Sequence, residues 1–506
     1  MKFNNINTRK HKDSGLNRRI MLACLVVSVL FLGSCSKSFI SADANLQGQP
    51  AATKLWQTAS DAQAAVNSIY GNLRSWNNVA FASLILENIG SDDAAKGSVP
   101  SDAAYINLYD NFTVTATEGQ GDGFWQGQYQ NINFCNQVLD NVDTMTTVDA
   151  STKARYLAEA KFIRAYSYFR LVRAFGRVPL VLHVPTTQEE LNPPQSSADS
   201  VYNAIEQDLT DAAANLPTTV SADEAGRATK GAALALHAKV AMYRKEWSDV
   251  LNYTNQVISS GVYSLYPDFY QLFRIAHENN SESIFEIQCN YVDGNSDISN
   301  SQYAQVQGNR DAGAGWGFNV PTQDLVNAFE TGDPRLAATV MMAGTTTPSG
   351  DVVPAAQAGS PTMYNMKAYV PFSVALADNQ GADQNVRVIR YAEVLLMNAE
   401  ANNELGNTAA ALASLELVRA RARGSNSSVL PKVTTTDQTE LREAIWHERR
   451  VELAMENDRY FDVIRQGRAA TVFGPLGWKA NKNEVWPIPQ TEIDNSSGVL
   501  TQNPGY

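Results

Sequence analysis

The spacing of apolar residues predicts a mostly helical protein. The clearest helix is expected from about residue 152 to residue 175, and it ends at Gly176 with Pro179 shortly after it, a normal stop signal. Its central residues are apolar in almost every direction around the axis, which is typical of a helix inside a core. Further helical patterns cover residues 228–259, 386–422 and 439–455.

Two of these stretches are interrupted by a short turn. One break lies near Lys245-Glu246 and the other at Gly406-Asn407, and each separates two amphipathic helices. An apolar residue returns at the same offset after each break, which resembles the tetratricopeptide helix-turn-helix unit in a degenerate form. Because such units bury little surface alone, we expect them to stack against one another.

The composition changes between the helical stretches. Residues 282–288 predict a short strand. Residues 75–127, 290–317 and 343–362 are predicted to be irregular, and the first two of these segments carry several aromatic side chains among small and polar residues. Long loops on a compact body are uncommon unless they bind something or are disordered, so these segments are candidates for a binding surface.

The first 34 residues have the layout of an export signal. Six basic residues and one acidic residue precede an uncharged apolar run at residues 20–32. That run is too short to span a bilayer comfortably, which requires about 20 apolar residues. The run ends in Leu32-Gly33-Ser34-Cys35, which resembles the lipobox of bacterial lipoproteins.

The lipobox resemblance implies a lipid anchor. In that family the cysteine thiol carries a diacylglycerol, the chain is cut before the cysteine, and the new amino terminus receives an acyl chain such as palmitate. We therefore expect residues 1–34 to be removed and Cys35 to be the lipidated first residue. Several acyl chains hold a protein at a membrane far more firmly than one. An ordinary cleaved signal with an incidental cysteine is the alternative.

The mature chain is acidic. The whole sequence has a formal charge of −12, and removal of residues 1–34 takes away six basic side chains and one acidic side chain, which leaves −17. This charge argues against nucleic acid and against anionic lipid surfaces as partners. It does not identify the partner that is used.

Ordered sequence blocks resemble one family across nearly the whole mature chain. The first is the helical block 159–180, and it is followed by blocks at 228–233, 258–265, 321–335 and 390–400. Further blocks stand at 448–453, 458–462, 486–489 and 502–506. Their content and order resemble the SusD/RagB outer-membrane lipoproteins of Bacteroidetes-type bacteria, from about residue 55 to the end.

This resemblance implies a fold and a role. The expected fold is a mostly helical body with four degenerate tetratricopeptide-like helix pairs, long loops and a few short strands. We expect an N-terminal region at 35–265 and a C-terminal region at 266–506, packed as one compact body. The resemblance further implies a lipid-anchored protein on the outer face of the outer membrane. It would cap a SusC-like TonB-dependent transporter and deliver glycans or, in the RagB branch, peptides.

The sequence contains no catalytic or metal-binding pattern that survives inspection. His447-Glu448 begins like a zinc-protease helix, but Val451 stands where the second histidine would be. Glu448 and Glu452 share a helical face with nearby arginines and are better interpreted as members of an ion-pair network than as a glycosidase pair. We therefore predict a protein without enzymatic activity, cofactor or metal.

A binding protein for sugars needs exposed aromatic faces and convergent polar side chains. The aromatic residues of the irregular segments are the candidates, with Trp76 and Trp316 at the centre. The predicted ligand-binding residues are Trp76, Asn77, Trp125, Tyr291, Tyr303 and Trp316. A peptide ligand, a lipid-anchored hydrolase and a helical-repeat adaptor remain as alternatives.

Overall fold

A computed structural model describes residues 56–187, 190–291, 302–377 and 382–506. The predicted signal segment and Cys35 lie outside the described residues. Residues Trp56–Tyr506 group into one structural unit. About 53% of the protein is helical, which confirms the predicted mostly-α class.

Ten helices of seven or more residues form the body within the described residues. They are α1 (Ala59–Leu73), α2 (Gly119–Val142), α3 (Ala150–Phe175), α4 (Ala198–Asn215), α5 (Lys230–Arg244), α6 (Trp247–Ser259), α7 (Tyr391–Glu404), α8 (Thr408–Arg423), α9 (Gln438–Leu453) and α10 (Arg459–Arg465). Shorter α-helical or π-helical turns lie at Trp76–Val79, Phe81–Leu84, Ile85–Ile89, Asn107–Asp110, Gln302–Gln307, Gln323–Ala328, Arg335–Thr339, Phe372–Ala377, Ala469–Val472 and Gln490–Asn495.

The described strands form four two-stranded antiparallel sheets. The strands are β1 (Ala94–Gly97), β2 (Val178–Pro179), β3 (Gln195–Ser196), β4 (Ser283–Ile287), β5 (Phe318–Pro321), β6 (Val340–Met342), β7 (Met363–Asn365) and β8 (Val386–Arg390). The pairs are β1 with β5, β2 with β3, β4 with β8, and β6 with β7. Two of the four pairs, β1 with β5 and β4 with β8, join segments that are distant in sequence.

The helices pack in chain order. Each helix from α2 to α8 contacts the next one, and α9 packs on α7 and α8. The predicted turns at Lys245-Glu246 and Gly406-Asn407 separate α5 from α6 and α7 from α8. This serial stacking is what tetratricopeptide-like units need to bury their apolar faces.

Helix α3 is the centre of the core and confirms the helix predicted at 152–175. The Asp149 side chain accepts hydrogen bonds from the backbone N–H groups of Ser151 and Thr152, which caps the first turn. The helix ends at Gly176, whose φ of 72° is unfavourable for other residues. Nearly every residue from Phe162 to Phe175 is buried.

Two predictions about secondary structure are wrong. Residues 386–390 form strand β8 rather than the start of a helix, because β-branched residues there find a backbone partner in β4. The region 75–127 is not irregular throughout, because α2 begins at Gly119. Four glycines in the first part of α2 lower its helix propensity, and packing against α1 and α3 compensates for this loss.

Buried ion pairs connect the helices of the second half of the chain. Glu452 accepts hydrogen bonds from Arg335, Arg390 and Arg421 at 3.1, 3.0 and 2.5 Å, and Glu448 accepts one from Arg335 at 2.5 Å. Burial opposes ionisation of Glu452, but the three guanidinium groups lower the pKa of its carboxyl. The prediction that Glu448 and Glu452 belong to an ion-pair network is confirmed.

A second group of buried charges lies between α3, α5 and the segment before α10. Asp458 is 2.9 Å from Arg173 Nη1 and 2.5 Å from Lys239 Nζ. Glu87, on the π-helical turn, is 2.6 Å from Arg170 Nη2. The two Asp458 pairs tie the first half of the chain to the second.

Candidate ligand-binding site

Trp76 and Trp316 lie next to each other although they are far apart in the sequence. Their ring centroids are 5.8 Å apart, and the ring planes meet at 52°. Both side chains are half-buried, so part of each ring reaches the surface. The structure therefore brings together the two residues that sequence analysis placed at the centre of the site.

Two phenylalanines that sequence analysis did not single out support this pair. The Phe81 ring lies 5.5 Å from Trp76 and 6.0 Å from Trp316, and it packs edge-on against Phe318 at 4.8 Å. Phe81 and Phe318 are buried. These buried rings pack against the core-facing side of the tryptophan pair and hold the tryptophan rings in place. The available sequence signal was the spacing of Trp316 and Phe318, because side chains two residues apart on an extended strand share a face.

A glycine-rich loop positions Trp316. The Trp316 backbone N–H donates to the carbonyl of Gln305 at 3.0 Å. Gly308 and Gly315 cross so closely that a Cβ on Gly315 would lie 2.3 Å from the Gly308 Cα. No larger residue fits at this crossing without movement of the backbone, and the tight loop projects Trp316 towards Trp76.

Polar side chains stand beside the tryptophan pair. The backbone N–H of Ser98 donates to the carbonyl of Gly317 at 2.6 Å. Gly317 follows Trp316 in the sequence, so this bond holds Ser98 next to the Trp316 loop. Arg310 Nη1 donates to Ser98 Oγ at 3.1 Å and to Asp102 Oδ2 at 3.0 Å. The side chains of Arg310 and Asp102 are each 38% exposed, so both remain available to a ligand.

Lys96 holds the loop that carries Ser98 and Asp102. Its ammonium group donates to the carbonyls of Gly97, Val99 and Asp102 at 2.7, 3.0 and 2.9 Å. Burial lowers the pKa of Lys96, while the nearby carboxylate of Asp102 raises it. Three carbonyl acceptors around one cation make this loop a rigid support for the polar groups.

The remaining predicted residues have different surroundings. Asn77 is half-buried, and its side chain lies against Gly123 and Gly127 of α2, where any Cβ would crowd it. Tyr303 is 7% exposed and lies in the short helix Gln302–Gln307. Tyr291 is half-buried, and its backbone N–H donates to Asp383.

The placement of Trp125 in a loop is wrong. This residue lies inside α2, is only 3% exposed, and packs on Tyr129 and Phe175 at centroid distances of 5.0 and 5.2 Å. The helix was missed because of its glycines, and its apolar face turns Trp125 into the core. We therefore place Trp125 outside the candidate site, which consists of Trp76, Trp316, Ser98, Asp102 and Arg310.

This arrangement offers the groups that ligand binding uses. Aromatic rings offer flat apolar faces, and the adjacent hydroxyl, carboxylate and guanidinium groups offer donors and acceptors. In the part of the chain that the structure describes, no group of three or more histidine, cysteine, aspartate or glutamate residues is arranged to hold a metal ion. The described helices are also too short or too polar to cross a membrane.

Comparison with known proteins decides the family. The protein-family model described as "SusD family" matches residues 281–506. A second family model, described as "Starch-binding associating with outer membrane", matches residues 47–242. A laminarin-binding SusD-like protein of known structure is 30% identical, with a TM-score of 0.75 over 89% of this chain and all of that chain. The chain belongs to the SusD/RagB family.

Other members of the family are similar over comparable lengths. SusD-like protein P2 of Formosa agariphila is 29% identical over 95% of this chain and 98% of its own length. The surface glycan-binding protein A of Bacteroides thetaiotaomicron, solved in complex with laminarihexaose, is 26% identical with a TM-score of 0.75, covering 88% of this chain and 100% of that protein. The predicted family and the predicted SusD-like fold are confirmed.

Proposed function

We propose that this SusD-family protein binds a glycan at Trp76 and Trp316. The observation that carries the proposal is the pair of half-buried indole rings at 5.8 Å beside the exposed Arg310–Asp102 pair. Sugar rings present flat C–H faces that stack on aromatic rings and hydroxyl groups that bond to polar side chains. Two tilted rings suit a curved oligosaccharide better than a single flat sugar.

Laminarin is the first ligand to test. One similar structure is described as laminarin-binding and another was solved with laminarihexaose. Identities of 26–30% leave room for a change of ligand within a shared fold. Binding of a peptide instead of a glycan, as in the RagB branch, would contradict the proposed ligand class.

The binding experiment is electrophoresis through gels that contain one polysaccharide at a time. Laminarin, starch, xylan and a peptide-rich control gel would be compared, and titration calorimetry would follow for any glycan that retards the protein. We expect retardation by a glycan without new reducing ends after prolonged incubation. New reducing ends would instead indicate a hydrolase, and retardation by peptides alone would contradict the glycan proposal.

We further propose that the protein works as the lid of a transporter. A lipid anchor at Cys35 would keep it at the outer membrane facing the cell exterior, and a binder without a membrane span needs a channel to deliver its ligand. A SusC-like TonB-dependent transporter would supply that channel. Closure over the barrel would hold the ligand at high effective concentration above the pore.

Affinity purification from detergent-solubilised outer membranes tests the lid. The tagged protein should bring down one TonB-dependent barrel at moderate salt and without added glycan. Because the mature chain is acidic, we expect basic patches on the facing extracellular loops of the barrel. Elution of the protein alone, together with normal glycan import in cells that lack the barrel, would contradict the lid and favour free-standing capture.

A further inference from the structure

The polar half of the candidate site is a closed set of three side chains. Arg310 Nη1 donates to Ser98 Oγ at 3.1 Å and to Asp102 Oδ2 at 3.0 Å, and Ser98 Oγ donates to the same Asp102 oxygen at 2.9 Å. The set lies against the Trp316 loop, because a Cβ on Gly317 would come within 3.2 Å of the Arg310 Cβ. A cationic donor and an anionic acceptor therefore stand together beside the loop that carries Trp316.

Asp102 is held by its own loop as well as by Arg310. Its backbone N–H donates to the Val99 carbonyl at 3.0 Å, and its own carbonyl accepts from Lys96 Nζ at 2.9 Å. The loop begins at Ser98 and is followed by Ala103, and these two residues have left-handed φ values of 51° and 44°. That conformation is unfavourable for residues other than glycine, so the surrounding bonds must hold it. Asp102 is thus anchored at its backbone and at its carboxylate.

The cations near the site are compensated. The charged residues of segments 74–81, 96–102 and 308–318 are three cations and two acids, Arg74, Lys96, Arg310, Asp102 and Asp311. A third acid, Asp110, accepts from the Lys96 backbone N–H at 3.0 Å. Lys96 is buried and its ammonium group donates to three loop carbonyls, while Arg74 ends α1, where the negative end of the helix dipole offsets part of its charge. The site therefore has no large surplus of positive charge.

Arg310 keeps donors for a ligand. In the described part of the chain, its side-chain hydrogen bonds run from Nη1 alone, which leaves Nε and Nη2 for sugar hydroxyls. The side chains of Arg310 and Asp102 are each 38% exposed, so a ligand can reach both. The pair thus presents donors on one partner and an acceptor on the other.

We propose that the site selects uncharged glycans and that Asp102 is the residue that rejects acidic ones. The inference rests on the proposed glycan function and adds the class of glycan. Adjacent hydroxyl groups of a sugar both donate and accept, so they can bond to Asp102 and Arg310 at the same time. A carboxylate or sulfate only accepts, so its bond to Arg310 would place a second negative charge against Asp102. The sequence as a whole has a formal charge of −12, which adds to this repulsion.

A neutral glycan and its oxidised form test the selection. Laminarin and starch would each be compared with the same polymer oxidised at C6, which turns the exocyclic alcohol into a carboxylate and keeps the sugar rings. Affinity electrophoresis and titration calorimetry would measure binding of both forms. We expect the oxidised form to bind roughly tenfold more weakly at low ionic strength, with a smaller difference as salt is added.

Two substitutions should move the selection in opposite directions. Asp102→Asn keeps an acceptor for Ser98 but leaves the charge of Arg310 uncompensated, so binding of the oxidised polymer should rise relative to the neutral one. Arg310→Gln leaves Asp102 without a counter-ion, so the preference for the neutral polymer should grow. Asp143→Asn changes the net charge by the same amount as Asp102→Asn at an exposed position after α2, and it should leave the preference unchanged.

The outcomes separate this inference from the proposed function. Tighter binding of the oxidised polymer by the unaltered protein, or an unchanged preference in the two site variants, would overturn selection by Asp102 while glycan binding stands. Retention of neither form of either polymer would remove the proposed function and this inference with it. Circular dichroism checks that each variant folds, and if one of them does not, the opposite shift expected of the other still decides.

Discussion

Glu456 and Asp458 stand two residues apart and belong to different buried ion-pair groups. Glu456 bonds to Arg390 and Lys367, whereas Asp458 bonds to Arg173 and Lys239. The residue between them, Asn457, has a φ of 69°, a left-handed conformation in which asparagine is better tolerated than most residues. This short segment therefore joins the charges of the C-terminal part to those of α3 and α5.

Removal of a buried arginine from this system should destabilise the protein strongly. Arg335 is fully buried and pairs with Asp333, Glu448 and Glu452, so Arg335→Met leaves carboxylates without one of their partners. We expect a loss of about 3–5 kcal/mol in the free energy of unfolding, measured by urea titration. Lys161→Met breaks a half-exposed pair with Asp211 and should cost at most about 1 kcal/mol. Equal losses in the two variants would contradict this account.

The tryptophan pair should control glycan retention. Trp76→Ala or Trp316→Ala should each weaken binding by about 1–3 kcal/mol, which is roughly fivefold to 150-fold, because each removes a stacking face. Because the two rings are neighbours, the double variant should lose less than the sum of the single losses. Trp446→Ala, in α9, is the matched control. Normal binding by either single variant, with an unchanged circular-dichroism spectrum, would remove that residue from the site.

Arg310 should contribute to affinity but little to stability. Arg310→Gln removes a donor beside Trp316, and we expect glycan affinity to fall by about 0.5–1.5 kcal/mol. The pair with Asp102 is half-exposed, so the melting temperature should change little. Calorimetry measures the first effect and thermal unfolding the second. Arg244→Gln, which breaks a partly exposed pair with Glu206 and Glu246 elsewhere, should bind the glycan normally.

Asp110 should make stability depend on pH near neutrality. Burial raises the pKa of its carboxyl to about 7, although the backbone N–H of Lys96 donates to it. The unfolded value is about 4, so the folded state binds more protons between pH 4 and 7, and this contribution to stability is lost as pH rises through 7. Asp110→Asn should therefore gain melting temperature relative to the unaltered protein at pH 8 but not at pH 4. The matched control is Asp143→Asn, which changes an exposed aspartate.

Lipidation should depend on Cys35. Cys35→Ala should abolish incorporation of a clickable fatty acid and release the protein from membranes, because the thiol is the attachment point that the lipobox resemblance implies. Cys24→Ala, inside the apolar run of the signal, should be labelled normally. Undiminished labelling of Cys35→Ala would refute the anchor.

The sequence predicted those helices that have local helix signals, such as an apolar face, a capping residue and a terminal glycine. Helix α3 has an apolar core, a capping aspartate and a terminal glycine, and these local features remain decisive in the folded protein. Helix α2 was missed because its glycines disfavour a helix locally, whereas Gly123 and Gly127 allow the close approach of Asn77 in the folded protein. Strand β8 was taken for a helix because its pairing with β4 is a long-range contact that periodicity does not report.

The candidate site was only partly predictable for the same reason. Aromatic residues in irregular segments indicated Trp76 and Trp316, but composition does not tell a loop tryptophan from a helical one, as Trp125 illustrates. The polar partners Ser98, Asp102 and Arg310 meet through the pairing of β1 with β5. That pairing joins distant parts of the chain, so no local pattern pointed to these residues.

The pairing of Asp92 and Asp93 has a consequence for biosynthesis. Both are buried, and their partners Arg450 and Arg459 lie near the other end of the chain. Until those arginines leave the ribosome, a compact N-terminal half would enclose two carboxylates without counter-ions, which is strongly unfavourable. We expect the nascent chain to stay open until synthesis is nearly complete. An open chain is also the form that can be threaded through a membrane pore before it folds.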